Sequence, residues 1–276
     1  GDRGEARLAA WRILGGGGVL LAFSLYRGMH TLIAIAFFLS YFAIGVAIRR
    51  MRAELGYPSH DLHAIGPNFQ IIQYMGTPEM TRHYKSDLAM FAFYHYITRA
   101  YRSHPMPHAL EALRIAEREK MNERRYLLAM AIACVFGILF AYFGGLWVFT
   151  KYGASNISNI GEWMGREIWV KTQSYFTAPD PYTPAASGAI IIGLLFSLSM
   201  AVIRMNTAWW PFHPVGYAVS GSWSMDQLWS CFILAWLIKL LILRYGGAKA
   251  HKAVLPFFIG VIIGDFFVGT GWSLYG

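Results

Sequence analysis

Charged residues are scarce in this chain. Asp, Glu, Lys and Arg together supply 14% of its 276 residues, whereas an average soluble domain has roughly 25%. Hydrophobic residues make up 56%, the mean hydropathy is +0.38, and long apolar runs recur along the sequence. This composition predicts an all-α polytopic membrane protein, a bundle of spanning helices.

Cysteine and acidic residues are also few. Cys134 and Cys231 both fall in apolar segments, which predicts buried single thiols and excludes a disulfide framework. Asp and Glu number 15 against 24 Lys and Arg, which gives a net charge of +9. The basic residues cluster at the ends of apolar runs, as membrane topology requires, and form no soluble basic stripe with interleaved aromatics. This distribution excludes a nucleic-acid binder.

Two histidine pairs have spacings that resemble metal-ligand patterns, His60 with His63 and His104 with His108. The first pair has no partnering cysteine and the second is interrupted by prolines. We therefore expect solvated loop histidines, with metal contact or cytoplasmic gating as the alternative. No resident metal or cofactor is predicted.

Six segments approach the roughly 20 apolar residues that a helix needs to cross the hydrocarbon layer. They are residues 11–26, 31–48, 126–149, 187–203, 228–243 and 254–274. The first is the weakest, because it is short and contains four consecutive glycines. Shorter elements are also predicted: amphipathic interfacial helices at 107–125 and 160–175, and a re-entrant or interfacial segment at 88–97.

Lys and Arg near the segment ends set the predicted orientation. Arginines precede the first segment and follow the second, so these two segments form a hairpin with both ends cytoplasmic. The basic region 49–125 is placed on the same side or at its membrane interface, and residues 152–184 form an external loop. We expect residues 1–276 to form one transmembrane domain.

A proline-broken apolar segment follows the fourth crossing. Pro211 and Pro214 each remove a backbone donor, so no regular helix can run through Phe212 and His213. The fourth crossing ends at Arg204 and the fifth ends in Lys239, Arg244, Lys249 and Lys252, so both ends favour the cytoplasm. An additional, broken crossing at 208–223 would resolve this conflict. The alternative is that the basic residues do not report the orientation of the chain here.

The same segment contains the first candidate site. His213 is flanked by aromatic residues that include Trp210 and Tyr217. Histidine titrates near neutral pH, so in a membrane cavity His213 could couple proton movement to solute binding. The alternative is that the imidazole caps or hydrogen-bonds the broken backbone.

Further candidates lie in the last two crossings. Asp265 is in the middle of an apolar run, where an ionisable group indicates a functional site, and Lys239 is its nearest basic candidate. A structural ion pair, or snorkelling of Lys239, is the alternative. We expect Asp226 to cap the fifth helix or favour its positive end, and Ser222 to present a hydroxyl to an anionic group there. Ser222 lacks the following glycine of a nucleophile elbow, and no enzyme is predicted.

Four motifs in order resemble an uncharacterised bacterial membrane family. They are RRMRAELGYP at 49–58, HPMPHALE at 104–111, WWPFHPVGY at 209–217 and IKLLILRYGG at 238–247. That family is similar, more distantly, to the oligopeptide transporter superfamily, whose members move short peptides or metal chelates, usually with protons. The resemblance spans most of the chain and suggests the C-terminal half of a protein about twice as long, and the absence of an initial methionine favours the same view.

Two functions follow as hypotheses. The first is a proton-coupled secondary transporter of small solutes in the bacterial inner membrane, with lipids, a solute and a missing N-terminal half as partners. The second is a non-transporting structural or accessory subunit of a larger membrane complex. Abundant aromatics and glycine-faced helices would suit packing against other membrane subunits.

Overall fold

The structure, a computed structural model, describes residues 2–56, 61–63, 65–101, 104–153, 156, 159–207 and 209–275. All the secondary structure in these ranges is helical. The helices are α1 Asp2–Tyr26, α2 Thr31–Leu55, α3 Pro67–Met75, α4 Thr77–His83, α5 Lys85–Thr98, α6 Pro105–Arg118, α7 Glu123–Tyr152, α8 Asn159–Thr177, α9 Pro184–Asn206, α10 Pro214–Ser220 and α11 Trp223–Tyr275. The chain divides into two compact units, residues 1–223 and 224–276, and each is described by itself.

Four helices in the described ranges are long and apolar enough to cross a membrane, so the predicted count of about six is not confirmed. Their spanning parts are Thr31–Glu54, Arg124–Tyr152, Pro184–Asn206 and Trp223–Tyr275. The first predicted segment is a helix, but its apolar part, Ala10–Tyr26, is shorter than those of the four. Cys134 and Cys231 are exposed on their helices, contrary to the expectation of buried thiols.

The core of the first unit forms where α2 packs against α5. The ring of Phe37 is fully buried, stacks on Phe91 at 5.6 Å and contacts Tyr94 at 5.3 Å. Tyr94 also shares a 2.8 Å hydrogen bond with the hydroxyl of Ser24 on α1. Aromatic pairs of this kind contribute about 0.5 to 1.5 kcal/mol each beyond the area they bury. The buried apolar residues of this core are Met29, Ile33, Ala34, Phe37, Phe38, Met80, Leu88, Met90, Phe91 and Tyr94.

Helix α5 runs beside α2 and in the same direction. At its start, Asp87 Oδ1 accepts a 2.8 Å hydrogen bond from the backbone N–H of His30, just before α2. Just beyond its end, the ring of Tyr101 lies 6.0 Å from that of Tyr41, within α2. The predicted segment 88–97 is therefore part of a buried core helix, and its membrane depth stays a prediction.

Helices α3 and α4 return the chain from the end of α2 to its start. Before α3, the N–H of Leu62 donates to Ala100 O at 2.9 Å, at the far end of α5. After α4, the ring of Tyr84 lies 5.4 Å from His30, at the start of α2. Much of the region 49–125 is thus a broken helical hairpin packed along α2 rather than a separate loop.

The predicted amphipathic helix 107–125 is present as α6 but ends earlier. It begins at Pro105, whose missing N–H and fixed φ suit a first helical position. It ends at Arg118, and the chain then turns through Lys120 at a positive φ of 52°. A new helix begins because Asn122 Oδ1 caps α7 by accepting a 3.1 Å hydrogen bond from the N–H of Arg125.

Residues of the regions 49–125 and 152–184 are in contact, although the distribution of basic residues places these regions on opposite sides of the membrane. The hydroxyl of Thr77 donates to Asp180 O at 2.9 Å, and α8 packs against α4 and α5. Segments on opposite sides of a hydrocarbon layer about 30 Å thick cannot touch. The assignment of these two regions to opposite sides therefore does not hold for the residues that meet here.

The second unit is one helical element with a break inside it. A straight helix of 53 residues would be about 80 Å long, more than twice the hydrocarbon thickness. Gly247 interrupts it with φ 66° and ψ −169°, a conformation that glycine tolerates. The predicted segments 228–243 and 254–274 lie on either side of this glycine.

Candidate functional site

The proline-broken segment places His213 at the start of α10. Its Nδ1 accepts a 3.2 Å hydrogen bond from the N–H of Val215, which satisfies a donor in the first turn of the helix. Pro214 occupies the first helical position, where its missing N–H costs nothing. The imidazole therefore supports the broken backbone, as the alternative in the sequence analysis proposed.

The other ring nitrogen of His213 faces a carboxylate. His213 Nε2 lies 3.5 Å from Glu54 Oε2, and the Glu54 side chain is 39% exposed. Burial lowers the pKa of His213, Arg204 lowers it further, and Glu54 acts in the opposite direction. Glu54 ends the apolar span of α2, so His213 lies at an end of that helix rather than halfway along it.

Trp210 and Tyr217 pack around this segment. The ring of Trp210 lies 5.7 Å from Phe212, and its Nε1 is buried without a hydrogen-bond partner in the described part of the chain. The ring of Tyr217 meets the edge of Phe196 at 4.9 Å, so α10 folds back along α9. With seven residues, α10 is about 10 Å long and cannot cross the hydrocarbon layer as a helix.

Of the remaining sequence candidates, Ser222 belongs to the first unit, whereas Asp226, Lys239 and Asp265 belong to the second. Ser222 is buried, and its N–H donates to Val219 O at 2.9 Å. Asp226 lies in the first turn of α11, where a carboxylate complements the helix dipole, but the helix already begins at Trp223, so Asp226 is not its N-cap. Lys239 and Asp265 are exposed on α11 and form no salt bridge among the described residues.

A second, buried cluster lies between α3, α5 and α8. His95 on α5 is only 6% exposed, and neither ring nitrogen has a hydrogen-bond partner among the described residues. The ring of Phe69 on α3 lies 6.2 Å away. Asn68, which precedes Phe69 in the sequence, is also buried, and its Oδ1 lacks a hydrogen-bond partner in the described ranges. Buried polar atoms in proteins usually have a partner, so this cluster requires an explanation.

An ion pair joins this cluster to α8. Arg99 Nε donates to Glu167 Oε2 at 2.7 Å, and the two side chains are 16% and 32% exposed. The Arg99 guanidinium also lies 4.7 Å from the centre of the Trp163 ring. Farther along α8, the Lys171 amine lies 4.1 Å from the centre of the Phe69 ring. These contacts place one carboxylate and two cations at the edge of the cluster.

The segment before α3 contains a histidine-carboxylate pair. His63 Nδ1 lies 3.2 Å from Asp61 Oδ1; Asp61 is 1% exposed and His63 is 30% exposed. The charge of His63 acts on His95, as do those of Arg99, Lys171 and Glu167. Burial is the largest effect and lowers the pKa of His95; Glu167 opposes it and the three basic groups reinforce it. His95 is therefore neutral near pH 7.

Sequence reasoning missed this cluster as a site. His95 lies within the predicted re-entrant or interfacial segment 88–97 but is not one of the predicted site residues. The partners come from three separate stretches, and Arg99 and Glu167 are 68 positions apart. The sequence signal for His95 is an ionisable group within an apolar segment, the same feature that indicates a functional role for Asp265.

The two metal-like histidine patterns do not form metal sites in the described residues, where no group of three potential ligands occurs. His104 is buried rather than solvated, and its Nδ1 accepts a 3.3 Å hydrogen bond from the N–H of Met106. It caps α6 in the same way that His213 caps α10. His60 lies outside the described residues.

The chain belongs to the protein family described as a family of unknown function, DUF6785, which matches residues 3–276. Comparison with curated proteins and with solved structures gave no match. Family membership is thus shown for nearly the whole chain, and it assigns no activity.

Proposed function

We propose that this member of the family is a secondary transporter of small solutes, of the kind suggested by its resemblance to oligopeptide transporters. The solutes would be short peptides or metal chelates, moved with protons across a bacterial inner membrane. The observation that supports this most is the buried cluster of His95, Asn68 and the Arg99–Glu167 pair inside a membrane-type helical bundle. Polar and ionisable groups in such bundles mark solute and ion pathways.

Broken helices in the same unit as that cluster support the same function. The α3–α4 junction breaks at Gly76, with φ 77° and ψ 148°, and α9 is separated from α10 by the residues that end in His213. Transporters bind substrates where helices are interrupted, because the freed backbone groups face a cavity instead of lipid. In this proposal the α3–α5 hairpin lies at membrane depth beside α2.

About six crossings are also part of the proposal. The break at Gly247 would divide α11 into two spans, and α1 would cross as a short helix beside α2. With α2, α7 and α9 these give six. The folded-back α10 would act as the broken segment, reaching from the end of α9 to the level of Phe196.

Solute uptake by inverted and right-side-out membrane vesicles that contain the protein tests this function. Labelled short peptides and ferric chelates are offered with and without an imposed pH gradient. We expect uptake that exceeds that of vesicles without the protein and that is lost in Arg99→Gln, because the guanidinium would face the solute pathway. Arg114→Gln is the control, since Arg114 pairs with Glu117 on the exposed face of α6. Equal uptake in vesicles with and without the protein would exclude the function for these solutes.

An accessory role in a larger complex is the alternative, and one observation favours it. The most apolar stretch of α7 buries none of its residues inside the structure, and α7 packs mainly against α6. A partner subunit could occupy that face as well as lipid. Native mass measurement after mild solubilisation distinguishes the two: the transporter needs no other polypeptide for uptake, whereas the accessory subunit co-purifies in fixed ratio with different chains.

A further inference from the structure

Helices α5 and α6 follow α2 along most of its length. Near the start of α2, Asp87 Oδ1 accepts a hydrogen bond from the N–H of His30. Farther along, the ring of Phe91 stacks on that of Phe37 at 5.6 Å. The order of these contacts shows that α5 covers the first half of α2 and runs in the same direction.

The same alignment continues past the end of α5. The ring of Tyr101 lies 6.0 Å from that of Tyr41, and a Cβ added at Gly45 would lie 3.0 Å from His104 Nε2. The interruption between α5 and α6 therefore lies beside the middle of the α2 span, Thr31–Glu54.

The last of these contacts joins α6 to the end of α2, where Arg52 donates to the Glu111 carboxylate. From His30 to Arg52, α2 rises about 33 Å at 1.5 Å per residue, close to the thickness of the hydrocarbon layer. With 14 residues each, α5 and α6 are too short to cross that layer alone. Together they extend along α2 far enough to cross it.

Tyr101, at this interruption, has two unusual features. Its backbone adopts a positive φ of 57°, a conformation that is costly for residues other than glycine and is concentrated at functional sites. Its side chain is buried, and its hydroxyl has no hydrogen-bond partner among the described residues. Irregular backbone at membrane depth occurs only where protein covers it or where it lines a water-filled cavity.

The exposed surfaces at this level differ in polarity. The exposed side chains of the α2 span are apolar and suit lipid; they include Leu32, Ile35, Leu39, Phe42 and Val46. Helix α8, which packs against α5, exposes the charged residues Arg166 and Lys171. Charged side chains inside a membrane face water or protein, because hydrocarbon cannot solvate them. Beside a membrane-spanning α2, the α8 side of the interruption therefore faces a water-filled cavity or other protein and not lipid.

Two cations near the interruption surround one carboxylate. Arg99, the first residue after α5, donates to Glu167 Oε2 at 2.7 Å. Lys171 lies one turn after Glu167 on α8, where side chains four residues apart are neighbours, and its amine lies 4.1 Å from the centre of the Phe69 ring. The three charged side chains are at least partly exposed. Together they carry one positive charge in excess, which favours an anion.

The carboxylate of Asp61 is close in the chain but is not presented to the same side. The N–H of Leu62 donates to Ala100 O at 2.9 Å, so Asp61 approaches the end of α5. Its side chain is 1% exposed, and its Oδ1 lies 3.2 Å from His63 Nδ1. This buried carboxylate therefore does not neutralise the exposed cations directly.

A buried imidazole adjoins the two cations. His95 lies one turn before Arg99, and its ring is 6.2 Å from that of Phe69, which also contacts the Lys171 amine. His95 is buried, and neither ring nitrogen has a hydrogen-bond partner among the described residues. A neutral imidazole provides one donor and one acceptor, so His95 can hydrogen-bond a polar molecule held by the cations.

We infer that α5 and α6 form one discontinuous crossing of the membrane, and that Arg99 and Lys171 beside its interruption form a site for an anionic group at half the depth of the bilayer. Transporters bind their substrates at such interruptions. In the proposed transporter, on which this role of the site rests, the anionic group is a carboxylate of the solute. Because α3 and α4 return the chain to the start of α2, α7 still begins on the side where α2 ends.

Cysteine labelling tests the crossing. In a chain with serine at both natural cysteine positions, Lys85→Cys places a thiol at the exposed first residue of α5, and Glu119→Cys places one in the exposed turn after α6. A charged, membrane-impermeant maleimide is applied to right-side-out and to inverted vesicles. We expect Lys85→Cys to react in right-side-out vesicles and Glu119→Cys in inverted ones, because basic residues are concentrated near the end of α6. Reaction of both from the same side would overturn the inference.

Reaction rates at position 163 test the site. The Trp163 ring lies 4.7 Å from the Arg99 guanidinium, so Trp163→Cys places a thiol beside the cations. Its reaction with the anionic sulfonatoethyl methanethiosulfonate is compared with that of the cationic trimethylammonium-ethyl reagent in membrane vesicles. Relative to a free thiol, we expect a preference of about tenfold for the anionic reagent, most of which is lost on adding Arg99→Gln. A thiol that reacts with neither reagent, or a preference that Arg99→Gln leaves intact, would show that these cations form no anion site.

Two variants serve as controls. Leu39→Cys places a thiol at a similar depth on the exposed apolar face of α2 and should react with neither reagent. Arg114→Gln removes a cation that pairs with Glu117 on α6 and should leave the preference at Trp163→Cys unchanged. Fast reaction of Leu39→Cys would place this level in water and contradict the crossing. If Arg99→Gln does not fold, Lys171→Gln takes its place in the comparison.

The inference and the proposed function fail in different ways, because neither labelling experiment requires uptake. Labelling from opposite sides with an Arg99-dependent anion preference, in a protein that takes up none of the offered solutes, would retain the crossing and the site and reject those solutes. Uptake by a protein in which both labels react from one side would retain the transporter and reject the crossing.

Discussion

The Arg99 guanidinium donates a 2.7 Å hydrogen bond to the Glu167 carboxylate. This single contact joins the region after α2 to the region after α7, which the distribution of basic residues assigns to opposite sides of the membrane. The positive-inside rule counts charges at the ends of spans. Arg99 is a basic residue whose charge is met by a carboxylate within the fold, so it carries less topological information than the sequence implies.

Glu167→Gln should lower the free energy of unfolding by about 1 kcal/mol, because a partly buried charge-assisted hydrogen bond is weakened. Glu117→Gln is the matched control: Glu117 pairs with Arg114 on the surface, where both side chains are more than half exposed, and its loss should cost less than about 0.5 kcal/mol. Thermal or denaturant unfolding in detergent measures both. Equal costs would show that the Arg99–Glu167 pair contributes no more than a surface pair.

Gly76→Ala should be strongly destabilising. A Cβ at Gly76, at φ +77°, would lie 2.8 Å from the backbone nitrogen of Tyr182, which cannot move independently of its chain. We expect a loss of about 3 kcal/mol or more from backbone strain and overpacking. Gly56→Ala is the control, since Gly56 also has a positive φ but nothing within 4 Å of the added Cβ.

For Gly56→Ala the left-handed conformation alone should cost about 1 to 2 kcal/mol. The difference between the two variants therefore measures how closely the α3–α4 junction approaches the segment before α9. If the two glycines tolerate alanine equally well, the close approach of Tyr182 to Gly76 is absent in the folded protein.

His213→Ala should cost about 1 kcal/mol of stability near neutral pH, because the helix cap on Val215 is lost. His213→Asn should lose less, since asparagine is a good N-cap residue. Circular dichroism melts in detergent measure both. An alanine variant as stable as the wild type would mean that the Nδ1 hydrogen bond does not contribute to stability.

The stability of the protein should fall with acidification below pH 6.5, and His95, His104 and His213 are the reason. Each has its pKa lowered in the folded state, chiefly by burial. The unfolded chain then binds protons first as the pH falls, so stability present above 6.5 is lost between that value and the folded pKa. His213→Asn should reduce the slope of stability against pH. If His213→Asn does not alter this slope, His213 does not contribute to the loss of stability at low pH.

Cys134 should be protected from a charged, membrane-impermeant maleimide if α7 crosses the bilayer. The test uses a variant in which Cys231 is replaced by serine, in inverted vesicles, with labelling repeated after dissolution in SDS. Glu119→Cys in a chain without other cysteines is the control, since Glu119 lies in the exposed turn before α7. Labelling of Cys134 as fast as that of the control would argue that the middle of α7 faces water.

The spans themselves could be predicted because their signal is local. The predicted segments 31–48, 126–149 and 187–203 fall inside α2, α7 and α9, since an uninterrupted apolar run of sufficient length is nearly always a helix in a membrane protein. The sequence also predicted an interruption between the segments 228–243 and 254–274, and the helix breaks within it, at Gly247. The starts of α6 and α7 were harder to predict, because they depend on the helix caps at His104 and Asn122.

By itself, the sequence determined that the chain is helical and apolar enough to cross a membrane, and where its longest helices run, because composition and apolar run length are properties of neighbouring residues. Only the tertiary structure decided which polar groups meet. The contacts of His95 with Phe69, of Arg99 with Glu167 and of His213 with Glu54 join separate helices, and no local pattern specifies them. The candidate site is therefore the core beside α5, where the buried imidazole of His95 has no hydrogen-bond partner among the described residues, and not the proline-broken segment.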